Sequence, residues 1–323
     1  PFNACRLETD GMVVRSNGDR LPITDSRVRL YIPNFSQYHS DAAAMAARWL
    51  GFHTGSVAAP NRSQLERGLQ HTSGRECLPL PICIGQLIQV HEQREPGEIA
   101  GFYMVRGGAP CVMDAYYDYI ARFIQEQLWP DVFLVDPNPS NGFLGMGEMA
   151  LARALAPAIT IADIVLEIEQ VIRLAGTDSA LEQLHDSWLT FLSAAKSPES
   201  LDNAVNSLID TLAALPLQKL PEECPRVLIT GDFFTRFSPF FIEGVYERYA
   251  ARGIILKPVD LSELLLYFSY DGVADAAKVW KLKPGKRAMA KACTRLFRQD
   301  GRQYLQQWFA FHTGKFSDDA FRE

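Results

Sequence analysis

The chain has 323 residues, of which 47% are hydrophobic and 22% charged, and its formal net charge is −6. This length allows two domains with sizeable cores, and the composition is that of an ordinary globular protein. No block of basic residues is present, which argues against nucleic-acid and anionic-membrane partners because phosphate binding requires clustered lysine and arginine.

No apolar run reaches the roughly 20 residues that span a bilayer, and the first residues contain no signal-peptide core. We therefore expect a cytoplasmic protein without a membrane partner. Because the chain starts at Pro1 rather than at a methionine, we also expect a processed product or a piece of a longer protein.

Strands and helices alternate in the first half of the chain. Arg27–Pro33 is apolar and rich in β-forming residues, and an alanine-rich helix follows it, capped by Ser40 or Asp41 and ended by Gly51. The pattern continues with a strand at 53–58, helices at 63–71 and 82–93, a strand at 99–105, a helix at 113–128 and a strand at 132–135. This order predicts a parallel sheet with helices on both faces.

The second half is helical before it returns to an α/β pattern. The period is that of helices from Met149 to about Leu215, and prolines then mark a linker. A strand at 226–230, a loop at 231–239, a helix at 239–252, a strand at 253–258 and a helical tail at 273–311 complete the pattern.

We predict an α/β protein made of two Rossmann-like units, each with a doubly wound parallel sheet, and a helical middle segment. The predicted parts are an N-terminal arm at 1–24, a first α/β domain with cysteine loops at 25–148, a helical segment at 149–222, and a second α/β unit with a helical tail at 223–323.

Six cysteines are scattered along the chain: Cys5, Cys77, Cys83, Cys111, Cys224 and Cys293. The chain is too large and too poor in cysteine for a secreted disulfide scaffold, so we expect reduced thiols. Cys77 precedes a predicted helix, and Cys111 lies between a predicted strand and helix. Both loops belong at the carboxyl ends of parallel strands, where ligands bind.

Helix amino termini favour the thiolate form of a nearby cysteine, and a thiolate is what an iron–sulfur cluster requires. Gly107 and Gly108, just before Cys111, allow backbone amides to approach a cluster or an anion. The alternative is that Cys77 and Cys111 are small buried hydrophobic residues. Cys83 and Cys293 fall in predicted helices and fit core packing, and Cys224 in the linker is more simply incidental.

Three other residues follow predicted strands and are candidate ligand-binding residues. His39 lies in the first strand–helix loop, and Asp232 with Arg236 follows the first strand of the second unit. The alternatives are a solvated or structural histidine and a turn stabilised by a local ion pair.

Four stretches of the chain resemble one family in their order and spacing: YIPNFSQYHSDAAAMAARWLGF, GLQHTSGRECLPLPICIGQLI, MVRGGAPCVMDAYYDYI and ITGDFFTRFSPFFIEGVYERYAARG. They resemble the cluster-binding subunits of 2-hydroxyacyl-CoA dehydratases. They are still more similar to the related domain of the large, multi-domain acyl-CoA dehydratase activases.

The resemblance implies a four-iron, four-sulfur cluster held by cysteines from separate loops between Rossmann-like domains, with Cys77 and Cys111 at the positions of two family ligands. It further implies an ATP-dependent activase, or other domains of a larger protein, as the partner that delivers one electron. A CoA thioester or another small molecule is the implied substrate of the reductive or radical chemistry.

The chain also departs from this family. A further cysteine-bearing loop is expected near the C-terminus and is missing, and no phosphate-binding glycine-rich loop of the ATPase type is present. A third ligand would come from Cys5, from outside this chain, or not exist. The alternative function is a non-catalytic domain that binds a partner or regulates an activase without a cluster.

Overall fold

The computed structural model describes residues 2–106, 112–138, 141–215 and 224–262. The chain divides into two compact units, Pro1–Leu151 and Ala152–Glu323. The helical segment predicted at 149–222 thus falls almost wholly in the same unit as the strands that follow it. The predicted helical tail at 273–311 lies outside the described residues.

The first 24 residues, predicted as an arm, contain a small antiparallel sheet. Its strands are β1 (Arg6–Leu7), β2 (Met12–Val14) and β3 (Arg20–Pro22), in the order β1-β2-β3. Gly11 and Gly18 lie in the two turns with φ of 78° and 93°, which residues with a Cβ rarely adopt.

A four-stranded parallel sheet forms the centre of the first unit. It contains β4 (Val28–Tyr31), β5 (Thr54–Gly55), β6 (Ile99–Tyr103) and β7 (Val132–Val135), in the order β5-β4-β6-β7. β6 and β7 are almost entirely buried, as expected for parallel strands covered on both faces. The predicted parallel sheet is therefore confirmed.

Helices connect these strands. They are α1 (Gln37–Trp49), α2 (Arg62–Leu69), α3 (Pro79–Gln93) and α4 (Asp114–Glu126). α1 begins earlier than predicted, with Ser36 at its N-cap. Ser40 is not the cap, because its hydroxyl donates to the carbonyl oxygen of Pro33 at 3.1 Å. α3 also begins earlier, since a proline is tolerated in the first turn of a helix.

The strand order creates a switch point in the sheet. The chain passes from β4 to β5 on one side and then to β6 on the other side of β4. The ends of β4 and β6 therefore form this switch point at the carboxyl edge of the sheet, which is where doubly wound α/β proteins bind ligands.

The antiparallel strands cover part of this sheet and complete its core. Val13 and Leu21 from those strands share a buried cluster with Leu30, Phe133 and Val135 of the parallel sheet. Gly101 lies in the middle of β6, where a Cβ would approach the side chains of Phe133 and Leu30 to 2.7 and 2.8 Å. Its lack of a side chain makes room for the phenylalanine ring.

The second unit begins with three helices, α5 (Glu148–Ala175), α6 (Asp178–Ala194) and α7 (Pro198–Ala213). They are followed by β8 (Arg226–Ile229), α8 (Phe233–Phe237), α9 (Pro239–Ile242), α10 (Val245–Ala250) and β9 (Ile255–Pro258), and β8 pairs with β9 in parallel. The single helix predicted at 239–252 is interrupted, because Glu243 and Gly244 have φ of 25° and 69°.

Buried acidic residues tie α5 to the strands of its unit. The Asp163 carboxylate accepts hydrogen bonds from the backbone amides of Leu261 and Ser262, both after β9. Glu167 pairs with Arg226 of β8 at 2.6 Å and with Lys257 of β9 at 2.9 Å. Each of these carboxylates is thus matched by donors, as burial of a charge requires.

The described chain is a mixed α/β protein with a four-stranded parallel sheet. In the described part of the second unit, β8 and β9 are the two strands, and the Rossmann-like character of both units stays a prediction. Across the described ranges, no helix is both long and apolar enough to cross a membrane.

Candidate functional site

Cys77 lies in the loop between α2 and α3, residues 70–78, called the Cys77 loop below, and is exposed. The turn before it is organised by Glu76, whose carboxylate accepts hydrogen bonds from the Ser73 hydroxyl at 2.8 Å and from the backbone amides of Ser73 and Arg75. The Ser73 hydroxyl and these amides lower the pKa of the Glu76 carboxyl. The loop therefore has a defined shape although its thiol faces solvent.

Two tyrosines of α4 bind the backbone of this loop. The Tyr119 hydroxyl donates to the carbonyl oxygen of His71 at 2.6 Å, and the Tyr116 hydroxyl lies 3.4 Å from the carbonyl oxygen of Cys77. Because Tyr116 is in the first turn of α4, the Cys77 loop lies against the amino-terminal end of that helix. Cys111 precedes the same helix by three positions.

Cys111, Gly107 and Gly108 lie outside the described residues. The structure therefore locates one of the two loops predicted to hold a cluster and the helix that follows the other. Exposed apolar side chains flank the same region: Leu69 at 43% exposure, Leu78 at 44% and Val112 at 60%.

Cys5, the predicted third ligand, is buried in the hydrophobic core beside Val13 and Leu21. Burial, with a smaller contribution from Asp131, raises the pKa of its thiol to about 12. Asp131 directly precedes β7 and so lies at the amino-terminal edge of the parallel sheet, whereas α4 follows the carboxyl end of β6 at the opposite edge. The raised pKa keeps the Cys5 thiol protonated, whereas a metal ligand must be a thiolate. Its position and its protonation therefore both favour packing over ligation.

The other described cysteines also differ from Cys77. Cys83 is buried within α3, as predicted for a packing residue, and Cys224 is partly exposed just before β8. Within the four described ranges, no group of three or more histidine, cysteine or acidic side chains is arranged to hold a metal ion. Among the described cysteines, Cys77 is the exposed one.

His39 lies in the first turn of α1 rather than in a loop, because the helix starts at Gln37. It is fully buried, and its Nδ1 atom lies 2.8 Å from the hydroxyl of Ser36. The sequence predicted His39 in the first strand–helix loop as a candidate ligand-binding residue, whereas its side chain is buried and not displayed to solvent.

Asn34, which the sequence did not single out, lies at the switch point of the sheet, three residues after the end of β4. Its side-chain amide nitrogen donates to the Gln37 side chain at 3.0 Å and to the Val57 carbonyl oxygen at 2.9 Å. Its Oδ1 atom is buried without a hydrogen-bond partner among the described residues. The available signal was an asparagine at the end of an apolar strand.

Asp232 and Arg236 have local roles in the second unit. Asp232 caps α8, its carboxylate accepting from the Thr235 amide at 2.8 Å. Arg236 is buried and donates to the carbonyl oxygens of Gly231 and Val259, which follow β8 and β9. Burial lowers the pKa of this guanidinium. Arg236 thus joins the carboxyl ends of the two strands.

No protein-family model matches this chain, and comparisons with curated proteins and with solved structures likewise give no match. The class that the described residues define is a mixed α/β protein with a parallel sheet, a buried polar switch point and an exposed cysteine loop against the start of a helix.

Proposed function

We propose that this chain is an iron–sulfur protein related to the 2-hydroxyacyl-CoA dehydratases, with Cys77 and Cys111 as ligands of a four-iron cluster. The observation that supports it most is the position of exposed Cys77 against the first turn of α4, the helix that begins three residues after Cys111. When bound, such a cluster supplies one-electron transfer, here from an ATP-dependent activase to a CoA thioester or another small molecule.

The ordered conformation of the Cys77 loop supports this proposal. A metal ligand on a pre-organised loop loses less conformational entropy on binding than one on a mobile loop. The Ser73–Glu76 turn and the Tyr116 and Tyr119 contacts provide that order before any ligand is bound. Since Cys5 is buried and its pKa is raised, we assign the further ligands to groups outside the described residues or to a partner.

A second candidate function is a partner-binding domain without a cluster. The exposed apolar side chains of Leu69 and Leu78, at the two ends of the Cys77 loop, and of Val112 just before α4 favour it, because exposed large apolar residues are common at contact sites. In this reading Cys77 lies within a docking surface for an activase or for another domain of a larger protein, and its thiol has no metal.

The test is the iron and acid-labile sulfide content of protein reconstituted and purified without oxygen, together with its visible spectrum. We expect roughly four irons per chain, lost in both Cys77→Ala and Cys111→Ala. The matched control is Cys224→Ala, a partly exposed cysteine in the second unit that should retain the iron. Absence of iron from the wild type, or full iron in Cys77→Ala, contradicts the cluster and leaves the partner-binding function.

A further inference from the structure

We propose that Tyr119, supported more weakly by Tyr116, is a positioning residue that fixes the Cys77 loop on α4. This inference rests on the proposed function only for its consequence at the cluster. The contacts that hold the loop on α4 are present in the protein without any ligand.

Helical spacing places the relevant side chains on one side of α4. Tyr116, Tyr119 and Phe123 are separated by three and four positions, so they lie on neighbouring turns of the same face. The three contact the loop at two points, Tyr116 at Cys77 and the other two at His71. The loop is therefore held near both of its ends.

The two hydroxyl contacts differ in strength. The Tyr119 distance of 2.6 Å is within the normal range for an O–H···O hydrogen bond, whereas the Tyr116 distance of 3.4 Å exceeds it. The main anchor is thus at His71, at the beginning of the loop. Both acceptors are backbone carbonyl oxygens, so the anchors do not depend on the loop's own side chains.

Ring packing strengthens the anchor at His71. The His71 ring lies 4.8 Å from the Phe123 ring, which meets Trp129 edge-on at 5.2 Å. Trp129 in turn stacks on His91 of α3 at 4.0 Å. The start of the loop is consequently part of an aromatic cluster that joins the ends of α3 and α4.

Burial, together with the charges of Glu76 and Glu126, raises the pKa of the Tyr119 phenol, so its hydroxyl stays a donor further into the alkaline range than an ordinary tyrosine. Glu76 also lies in the loop, where its carboxylate closes the turn with Ser73. The anchor at His71 and the turn at Ser73–Glu76 follow each other along the chain, so the anchor restricts the path that leads to Cys77.

The test removes single hydroxyl groups and measures amide hydrogen exchange of residues 70–78 in metal-free protein. Tyr119→Phe keeps the ring and should speed exchange roughly two- to tenfold, the effect of one hydrogen bond. Tyr116→Phe should have a smaller effect. Tyr117→Phe is the control on the same helix, because its ring lies under the Arg106 guanidinium at 3.8 Å instead of on the loop; exchange should not change.

A second measurement addresses the cluster. In iron-loaded protein, Tyr119→Phe should release iron to a chelator several-fold faster than Tyr117→Phe and shift the cluster's reduction potential. Unchanged exchange at 70–78, or faster exchange throughout β6 as well, overturns the positioning role. Faster local exchange with unchanged iron release and potential overturns its consequence for the cluster. Faster local exchange in a wild-type background that never binds iron supports the anchor while the proposed function fails.

Discussion

The side chain of Gln86 binds both backbone groups of Asn34, as a neighbouring strand would. Its amide nitrogen donates to the Asn34 carbonyl oxygen at 2.7 Å, and its carbonyl oxygen accepts from the Asn34 amide at 3.2 Å. Both residues are buried. A glutamine of α3 therefore satisfies the backbone of Asn34, three residues beyond the end of β4, where none of the described strands pairs with it.

Replacing this glutamine should destabilise the first unit. Gln86→Leu leaves two buried backbone groups of Asn34 without partners, at a cost of about 2–4 kcal/mol in the free energy of unfolding. Urea denaturation followed by circular dichroism measures the loss. Gln93→Leu, at the exposed end of the same helix, should change stability by less than about 0.5 kcal/mol. Equal stabilities of the two variants would contradict the backbone-pairing role.

The packing of α2 on α3 depends on two glycines. A Cβ on Gly85 would lie 2.0 Å from the Gln64 carbonyl oxygen, and a Cβ on Gly68 would lie 1.7 Å from that of Pro81. Gly85→Ala gains about 1 kcal/mol of helix propensity, but the clash with backbone forces the helices apart. We expect a net loss of about 1–3 kcal/mol in thermal or urea unfolding.

The control for this substitution is Ser63→Ala on the exposed face of α2, which should be neutral within about 0.5 kcal/mol. A Gly85→Ala variant as stable as wild type would show that the two helices can separate at little cost.

The buried thiol of Cys5 predicts a loss of stability in alkali. Its pKa rises from an ordinary value of 9.0 to about 12 on folding, mainly through burial. The unfolded chain therefore loses this proton first, so the contribution is complete below pH 9 and disappears as the pH rises towards 12. We expect the free energy of unfolding, measured by urea titration, to fall less steeply with pH for Cys5→Val than for wild type between pH 8 and pH 11. Parallel curves for the two proteins would be inconsistent with a buried neutral thiol.

Arg236 should be required for the structure of the second unit. Arg236→Met removes charged hydrogen bonds to the Gly231 and Val259 carbonyl oxygens and should cost about 2–4 kcal/mol. Arg236→Lys should restore only part of this stability, because lysine lacks the forked donors of a guanidinium. Faster hydrogen exchange in β8 and β9 reports the effect. Arg248→Met, which removes an exposed arginine that binds the Glu243 carbonyl oxygen, should leave those strands unchanged.

The sequence indicated the parallel sheet because its strands are short apolar runs between polar residues. β7 occupies the predicted range 132–135, since Asp131 and Asp136 bound it on both sides. β5 is shorter than its predicted range 53–58, because only Thr54 and Gly55 pair with β4. The sequence pattern specifies which residues are apolar, whereas the length of an edge strand depends on how many of its residues pair with the neighbouring strand.

The candidate site could be predicted only in part. The loop position of Cys77 follows from the helix that begins after it, and the structure leaves its thiol exposed. The burial of Cys5 could not be read from the chain, because its environment consists of residues far away in sequence, such as Phe133. The Asn34–Gln86 pair was missed for the same reason, as its members are 52 positions apart.

The small antiparallel sheet at residues 6–22 has a practical consequence for anyone who trims this chain. A shortened protein that starts at residue 25, the boundary suggested by the sequence, would lack Val13, Leu21 and Ile23 and leave Leu30 and Phe133 open to water on one side. Such a fragment would be prone to aggregate, and its failure to bind iron would say nothing about Cys77. Deletions intended to isolate the cysteine loop should therefore retain the first strands.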